Sequence, residues 1–232
     1  MTIKGRGVAG VRHRLIPVDV TIAPDAEMEA LVESVMAPHR SMLAEVVGNT
    51  AVGLHRNANL YSPMDDVLLA AIAKVADTEI AFSNGWRYGA PIPAGPITLS
   101  DLWNIIPTNP PVSRVEMYGS EIRKMMEENL ERTFSSDPFE QMGGYLKRFR
   151  GLTIYGKIEN PIGHRIEHIY VGDVALAPEQ SYRVAFVTAQ AVPQKFGRNR
   201  RDLPVKTIDA LRSYFLVTQA PPDPAVGRFI VV

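Results

Sequence analysis

The chain has 232 residues, of which 46% are hydrophobic and 22% charged, and its net charge is zero. These proportions match ordinary globular domains and exclude a fibrous or fully disordered chain. A chain of this length buries roughly 70–75% of its extended surface on folding, so one large domain, or one domain with an arm, is expected. A balanced charge gives no long-range field to gather a polyanion. Nucleic acid or an anionic membrane would therefore need a local basic patch, for which Arg148, Arg150, Arg198, Arg200 and Arg201 are the candidates, and neither partner is expected. The absence of cysteine excludes disulfides, thiolate metal ligands and thiol nucleophiles. Residues 1–6 carry charge without an apolar run behind them, so no secretory signal is read there. No window approaches the roughly 18 apolar residues of a membrane span, and a soluble chain is expected.

Between residues 12 and 22, Ile16, Val18, Val20 and Ile22 alternate with Pro17, Asp19 and Thr21, the period of a half-buried strand. Pro17 cannot donate to a ladder, which predicts an edge or connecting strand. From Asp25 onward, Met28, Leu31, Val32, Val35, Met36, Met42, Leu43 and Val46 recur at helical spacing, with Pro38 expected to kink or split the helix. Gly48-Asn49-Thr50 ends this stretch. Residues 1–50 are thus expected to form a strand-and-helix arm that docks on something larger, and residues 51–232 the compact domain.

Ser62-Pro63-Met64-Asp65 combines a capping hydroxyl, a proline at the first helical position and first-turn acids, so a helix is predicted to start there. Residues 79–83 read as a strand, and Asn84-Gly85-Trp86-Arg87-Tyr88-Gly89 as the loop leaving it. Ser100-Asp101 is predicted to cap a short helix to Ile106, residues 114–117 to form a strand, and Ile122, Met125, Met126 and Leu130 to stripe another helix. Strands follow at 151–155, 165–171 and 182–187, then a helix at 207–215 and a terminal strand at 228–232 after the break at Pro221-Pro222-Asp223-Pro224. Helices and strands alternate irregularly, which predicts an α/β (α+β) domain: a mixed sheet with flanking helices.

The order of short motifs along this framework resembles the C-terminal domain of the 5'-nucleotidase family, and within it the SoxB-type thiosulfohydrolases of sulfur oxidation. The stretches that carry the resemblance are Arg14-Leu15-Ile16-Pro17-Val18, Ala37-Pro38, Arg56 and Asn59, Met64-Asp65-Asp66, and Ser83 to Gly89. They continue with Pro93-Ala94-Gly95, Ile97-Thr98, Asp101-Leu102, Gly143-Gly144, Gly151 to Tyr155, and Ser181 to Ala185. The resemblance implies a preceding metallophosphoesterase domain holding two divalent metals, manganese in the SoxB group, with this chain as the half that closes over substrate. A two-metal site needs clustered His, Asp and Asn ligands. No Asp-x-His, Gly-Asn-His or Gly-His-x-His occurs in the positions such a site would need, so the isolated chain is expected to lack both metal and hydrolytic activity. His164 and His168 are four apart, but fall on and just before an expected strand without a third ligand.

Arg87 is the leading candidate contact, because a planar guanidinium at a strand-to-loop junction grips phosphate, sulfate or sulfonate through two parallel hydrogen bonds. Asn84 and the Gly85 backbone are expected to assist, and Arg56 to add a second cation. The bland alternatives are an Arg87 that pins its own loop and an Arg56 solvated ahead of a helix. The sequence departs from the nucleotidases at Pro107-Thr108-Asn109-Pro110, where they have phenylalanine and asparagine, and at Ala189, where they have an aromatic residue. The base-stacking clamp is therefore expected to be lost, unless Tyr88, Tyr145 or Phe196 supplies a displaced platform. Tyr145 follows Gly143-Gly144 where SoxB-type sequences have aspartate. The expected partners are the missing catalytic domain and an anionic small molecule or sulfur-carrier protein. The resemblance implies a periplasmic or extracellular setting. The alternative function is a binding module that kept the fold and lost catalysis.

Overall fold

The structure, a computed structural model, describes residues 1–85, 89–143, 145–218 and 227–232. It divides into two units, Met1–Ser41 and Met42–Val232. In the smaller unit β1 (Thr2–Lys4) and β2 (Gly7–Gly10) form an antiparallel hairpin about Gly5, whose φ of 62° suits a residue without Cβ. The strand expected at 12–22 does not form, and every residue there is exposed. Alternation alone does not make a strand without a neighbour to complete its ladder. Helix α1 (Ala26–Met36) begins at Asp25, whose side chain accepts from Met28 N, and buries none of its residues. Pro38 does split the predicted helix: a 3₁₀ turn (Ala37–His39) separates α1 from α2 (Arg40–Leu43).

The larger unit starts earlier than the expected residue 51, because β3 (Val46–Thr50) pairs antiparallel with β5 (Gly95–Thr98). Gly48 lies so close to Phe215 that a Cβ there would meet the Phe215 Cβ at 2.6 Å, which is why the chain is glycine where it crosses that residue.

Five strands make the central sheet, in the order β12 (Arg198–Lys206), β6 (Pro111–Tyr118), β11 (Ser181–Phe186), β4 (Ile80–Ser83) and β7 (Arg148–Arg150). Only β11 and β4 run parallel; the other neighbours are antiparallel. Successive residues point to opposite faces, so each strand feeds two cores. Ala81, Val112 and Ala185 face the core built with α3 (Pro63–Ala76), α4 (Leu99–Ile105) and α6 (Thr207–Val217). Ile80, Phe82, Val115, Met117, Val184 and Phe186 face the second core, built with α5 (Gly119–Phe134). That second core also packs against a four-stranded sheet in the order β10 (Val174–Ala175), β9 (Ile166–Val171), β8 (Leu152–Gly156) and β13 (Arg228–Val231). Fully buried side chains such as Leu68, Ile72 and Phe82 each contribute about 1.5–3 kcal/mol relative to exposure.

The start of α3 is as expected, with Ser62 Oγ accepting from Asp65 N at 3.2 Å and Pro63 in the first turn. The cap of α4 is Thr98 rather than Ser100. Thr98 Oγ1 accepts from Asp101 N while the Asp101 carboxylate accepts from Thr98 N, a reciprocal box that starts the helix at Leu99. Among the described residues no helix is long and apolar enough to cross a membrane.

Candidate functional site

The loop leaving β4 meets the segment entering β7 at one edge of the central sheet. Gly85 has φ 76°, and a Cβ there would stand 2.6 Å from Leu146 O and 3.1 Å from the Tyr145 ring, so only glycine lets the loop lie on that segment. The segment is itself pinned to α5. Thr133 Oγ1 donates to Tyr145 O at 3.1 Å, and Lys147 N donates to Asn129 Oδ1 at 2.7 Å. On its other side Leu146 N donates to Asn59 O at 3.0 Å.

Asn84 borders a cavity of ~550 Å³ between this segment, α5 and residues 189–196. Its polar lining includes Asn84, Asn129, Arg132 and Lys147, and its apolar lining includes Met125, Met142, Tyr145 and Phe196. The volume falls within the ~300–1,000 Å³ of small-molecule sites. The far wall is braced by Arg200, whose guanidinium donates to the carbonyls of Val192, Pro193 and Phe196 and stacks 4.6 Å over the Phe186 ring.

Lys147 is the unusual group in this lining. It is 8% exposed, and its ammonium donates to Gln190 O at 2.5 Å. Burial pushes its pKa down to about 8, with Arg132 adding to the fall and Glu128 opposing it. Glu128 is held by Lys195 at 2.6 Å.

Behind the segment lies a buried ion cluster. Asp65 Oδ1 is 3.2 Å from Arg56 Nε and its Oδ2 is 3.4 Å from Arg148 Nε. Ser62 Oγ also donates to Asp65 Oδ2 at 2.7 Å. Arg148 continues outward, donating to Asn59 O at 2.6 Å and to Ala58 O, so one guanidinium joins the 58–59 turn to the head of β7. Beside this cluster, burial pushes Asp66 up to about 7 and Tyr61 up to about 12, the second assisted by the Asp66 carboxylate it bonds.

A wider groove of ~1020 Å³ runs along α5 but does not reach the Asn84 loop. Its charged groups already hold structural partners: Glu127 accepts from Arg165 N and Ile166 N, and Glu131 pairs with Arg165 at 2.9 Å.

The profile of the 5'-nucleotidase, C-terminal domain, family matches residues 46–190, which takes in β4, α5, the 145–147 segment and the start of the far wall. The chain belongs to that family. It is 26% identical over 184 residues to the trifunctional nucleotide phosphoesterase protein YfkN of Bacillus subtilis (strain 168), covering 74% of this chain and 12% of that protein. Among solved structures it superposes on the sulfate thiohydrolase SoxB of Thermus thermophilus with TM-score 0.83 and 27% identity, covering 97% of this chain and 42% of that one. A 5'-nucleotidase precursor, also of Thermus thermophilus, shares the fold, with TM-score 0.71 and 22% identity over 88% of this chain and 43% of that one. The chain therefore spans well under half the length of these relatives.

Within this 5'-nucleotidase C-terminal domain the expected site residues are only partly brought together. Asn84 lines the cavity and Gly85 supports it. Arg87, with Trp86 and Tyr88, lies outside the described residues. Arg56 is 3% exposed and faces Asp65, so it is a cation of the buried cluster and not a solvated arginine before α3. Ala189 does fall in the cavity wall, where its methyl offers no ring, but Tyr145 and Phe196 stand in the same lining. The supposed basic patch is dispersed: Arg148 is buried, Arg198 stacks 3.8 Å over the Tyr118 ring, and Arg200 braces the 192–196 turn. Among the described residues no group of three or more His, Asp or Glu is placed to hold a metal, so a two-metal centre does not fit them and no chemical step is assigned to one. Lys147, Arg132 and Asn129 were not singled out in the sequence. Nothing local marks them, since it is the Lys147 N to Asn129 bond across 18 residues that makes them one site.

The depressed pKa of Lys147 carries a stability consequence. An unfolded lysine titrates near 10.5 and the folded one near 8, so charging the buried amine opposes folding fully below about pH 8 and ceases to do so as pH rises toward 10.5. Two to three pKa units correspond to roughly 3 kcal/mol. Lys147→Met is expected to raise unfolding stability at pH 7 by up to that amount, and to remove the gain that the native protein shows between pH 8 and 10.5. Denaturant unfolding at several pH values measures both.

Proposed function

We propose that this chain is the substrate-recognition domain of a SoxB-like or 5'-nucleotidase-like hydrolase, and that the cavity beside Asn84 receives an anionic group, a sulfur oxyanion or a phosphate. In this reading a metallophosphoesterase domain elsewhere in the parent protein supplies the metal chemistry, and a periplasmic or extracellular hydrolase is the whole. The observation that carries it is the juxtaposition of Asn84, on the loop the family motif occupies, with Lys147 and Arg132 across one cavity. Charge-assisted hydrogen bonds to an anion are worth about 1.5–3 kcal/mol each. Arg87 is proposed to add a bidentate contact from the same loop.

The family membership and the likeness to SoxB support the class of protein, and the cationic lining supports the class of ligand. Calorimetric titration of the chain with sulfate, thiosulfate, phosphate, adenosine and AMP tests it. Saturable binding of an oxyanion, weakened at least tenfold by Asn84→Ala or Arg87→Ala, is expected. Arg87→Lys should weaken it nearly as much, since the charge remains but the fork is lost. Adenosine binding that depends on Tyr145 or Phe196, with no oxyanion binding, would replace this reading by a nucleoside-recognition one.

A further inference from the structure

The cavity is too large and too apolar on one side for a bare tetrahedral oxyanion. Its lining is divided, with Lys147, Arg132 and Asn129 toward one part and Met125, Met142 and Phe196 also contributing. A ligand that filled ~550 Å³ while touching only the cations would leave the methionine and phenylalanine surfaces wet, forfeiting the burial that gives small-molecule sites most of their affinity.

Lys147 is built into this cavity and is not a surface lysine that happens to border it. Its own N–H is fixed by Asn129 Oδ1 at 2.7 Å, the preceding residue by Asn59 O at 3.0 Å, and the residue before that by Thr133 Oγ1 at 3.1 Å. With the backbone held on both sides, the ammonium is placed at Gln190 O, 2.5 Å away. That carbonyl takes one of the three donors of an ammonium. The charged groups that face it are Arg132 and Glu128, both from α5, and Glu128 already carries Lys195 at 2.6 Å. Two cations and one shared carboxylate leave a local positive excess in a partly dehydrated space, which an incoming anion would neutralise.

We infer that Lys147 sets the ligand class of this cavity: a small anion with an apolar or aromatic body, its charged head on Lys147 and Arg132 and its body against Met125, Met142 and Phe196. The inference rests on the reading of this cavity as the anion site and adds to it the residue that selects the head group and the surface that selects the body. An anion on Lys147 stabilises the ammonium, so binding near pH 8 takes up a proton, and affinity falls as pH rises through 8 and beyond.

Three probes separate the parts: phenyl phosphate, inorganic phosphate and benzyl alcohol, each titrated calorimetrically into the whole chain at pH 7 and pH 8. Phenyl phosphate is expected to bind at least tenfold more tightly than inorganic phosphate. At pH 8 its binding heat should vary with the ionisation enthalpy of the buffer, reporting proton uptake. Lys147→Met should weaken phenyl phosphate at least tenfold and abolish the proton uptake, while leaving the weak binding of benzyl alcohol unchanged. A thermal unfolding midpoint no lower than that of the native chain confirms that this variant is folded. Met142→Ala, a change at the exposed rim, should weaken phenyl phosphate but not inorganic phosphate. Equal affinity for phenyl phosphate and inorganic phosphate would overturn the ligand class while leaving the anion site intact. Native-like phenyl phosphate binding by Lys147→Met would overturn the role of Lys147. Binding of neither phosphate compound would overturn both this inference and the anion-site reading beneath it.

Discussion

Asp65→Ala is expected to lower unfolding stability by about 3–5 kcal/mol, the cost of breaking a buried ion pair from one side. Both Arg56 and Arg148 face this carboxylate, and the Arg56 and Asp65 side chains are each 1% exposed. Removing it takes from two guanidinium groups the carboxylate they share, where burial keeps water from solvating them in its place. The Ser62 Oγ to Asp65 bond at 2.7 Å is lost as well. For a domain of this size the melting midpoint should fall by about 10 °C. Replacing the arginines together with the acid should recover much of the loss, since an apolar substitute for a whole buried pair is often neutral. The same variant should weaken oxyanion binding, because Arg148 links Asp65 through Asn59 and Ala58 to the segment that carries Lys147. A stability loss below about 1 kcal/mol would show that the cluster is hydrated and not a structural centre.

Asp66 should give the second-largest effect, and its sign is opposite. Burial raises its pKa from 3.8 to about 7, reinforced by Asp65 and resisted by the Tyr61 hydroxyl, Arg150 and Arg148. A carboxyl with a raised folded pKa holds its proton more tightly in the native state. Its contribution is fully present below about pH 4 and is lost as pH rises through 7. Three units amount to about 4 kcal/mol. The native protein is thus expected to lose stability between pH 4 and 7, on the side where ordinary ion-paired acids make a protein gain it. Asp66→Asn keeps an acceptor for Tyr61 and removes the ionisation. It should flatten that limb and be the more stable protein above pH 7 by up to about 4 kcal/mol. Together with the Lys147 limb between pH 8 and 10.5, this predicts a minimum of stability near pH 7–8, bounded by one variant on each side. Denaturant unfolding of the native chain, Asp66→Asn and Lys147→Met from pH 4 to 10 reads all three curves. A native curve that rises from pH 4 to 7, with Asp66→Asn no flatter, would contradict the account of Asp66.

The parts of the fold that were legible in the sequence are those whose signals are local. Ser62-Pro63 announced α3 because a hydroxyl cap and a proline at the first turn are next to each other in the chain, and the apolar stripe of α5 is read at spacings of three and four. β12 gave no such signal. Arg198 to Lys206 is polar along both faces and contains Pro204, a pattern tolerated only because the strand lies at the edge of the sheet. β3 was hidden for a different reason: Gly48 in its middle reads as a helix stop, and only the approach of Phe215 explains it.

The site divides the same way. Asn84 and Gly85 were visible because a loop after a strand has a recognisable turn composition, and the family motif falls on it. Arg56 was misplaced because its partner is nine residues away across a turn, at the first acid of a helix start that explained itself without it. Lys147 could not be found at all from spacing, since its depressed pKa is a property of burial beside Arg132 and of a bond to the Gln190 carbonyl, 43 residues distant. Its expected behaviour illustrates how a site residue opposes stability: the methionine variant should be the better-folded protein and the poorer binder.

The central claim is that an anion enters the cavity bordered by Asn84, Asn129 and Lys147. Backbone amide chemical-shift mapping of the isotope-labelled chain during a thiosulfate or phosphate titration tests it most directly. The account predicts saturable shifts at residues 84–85, 129, 145–147 and 189–190, with the Lys147 side-chain signal moving toward the charged form at pH 8. Shifts confined to the arginine-rich strand Arg198–Lys206, or spread over the surface without saturation, would contradict it.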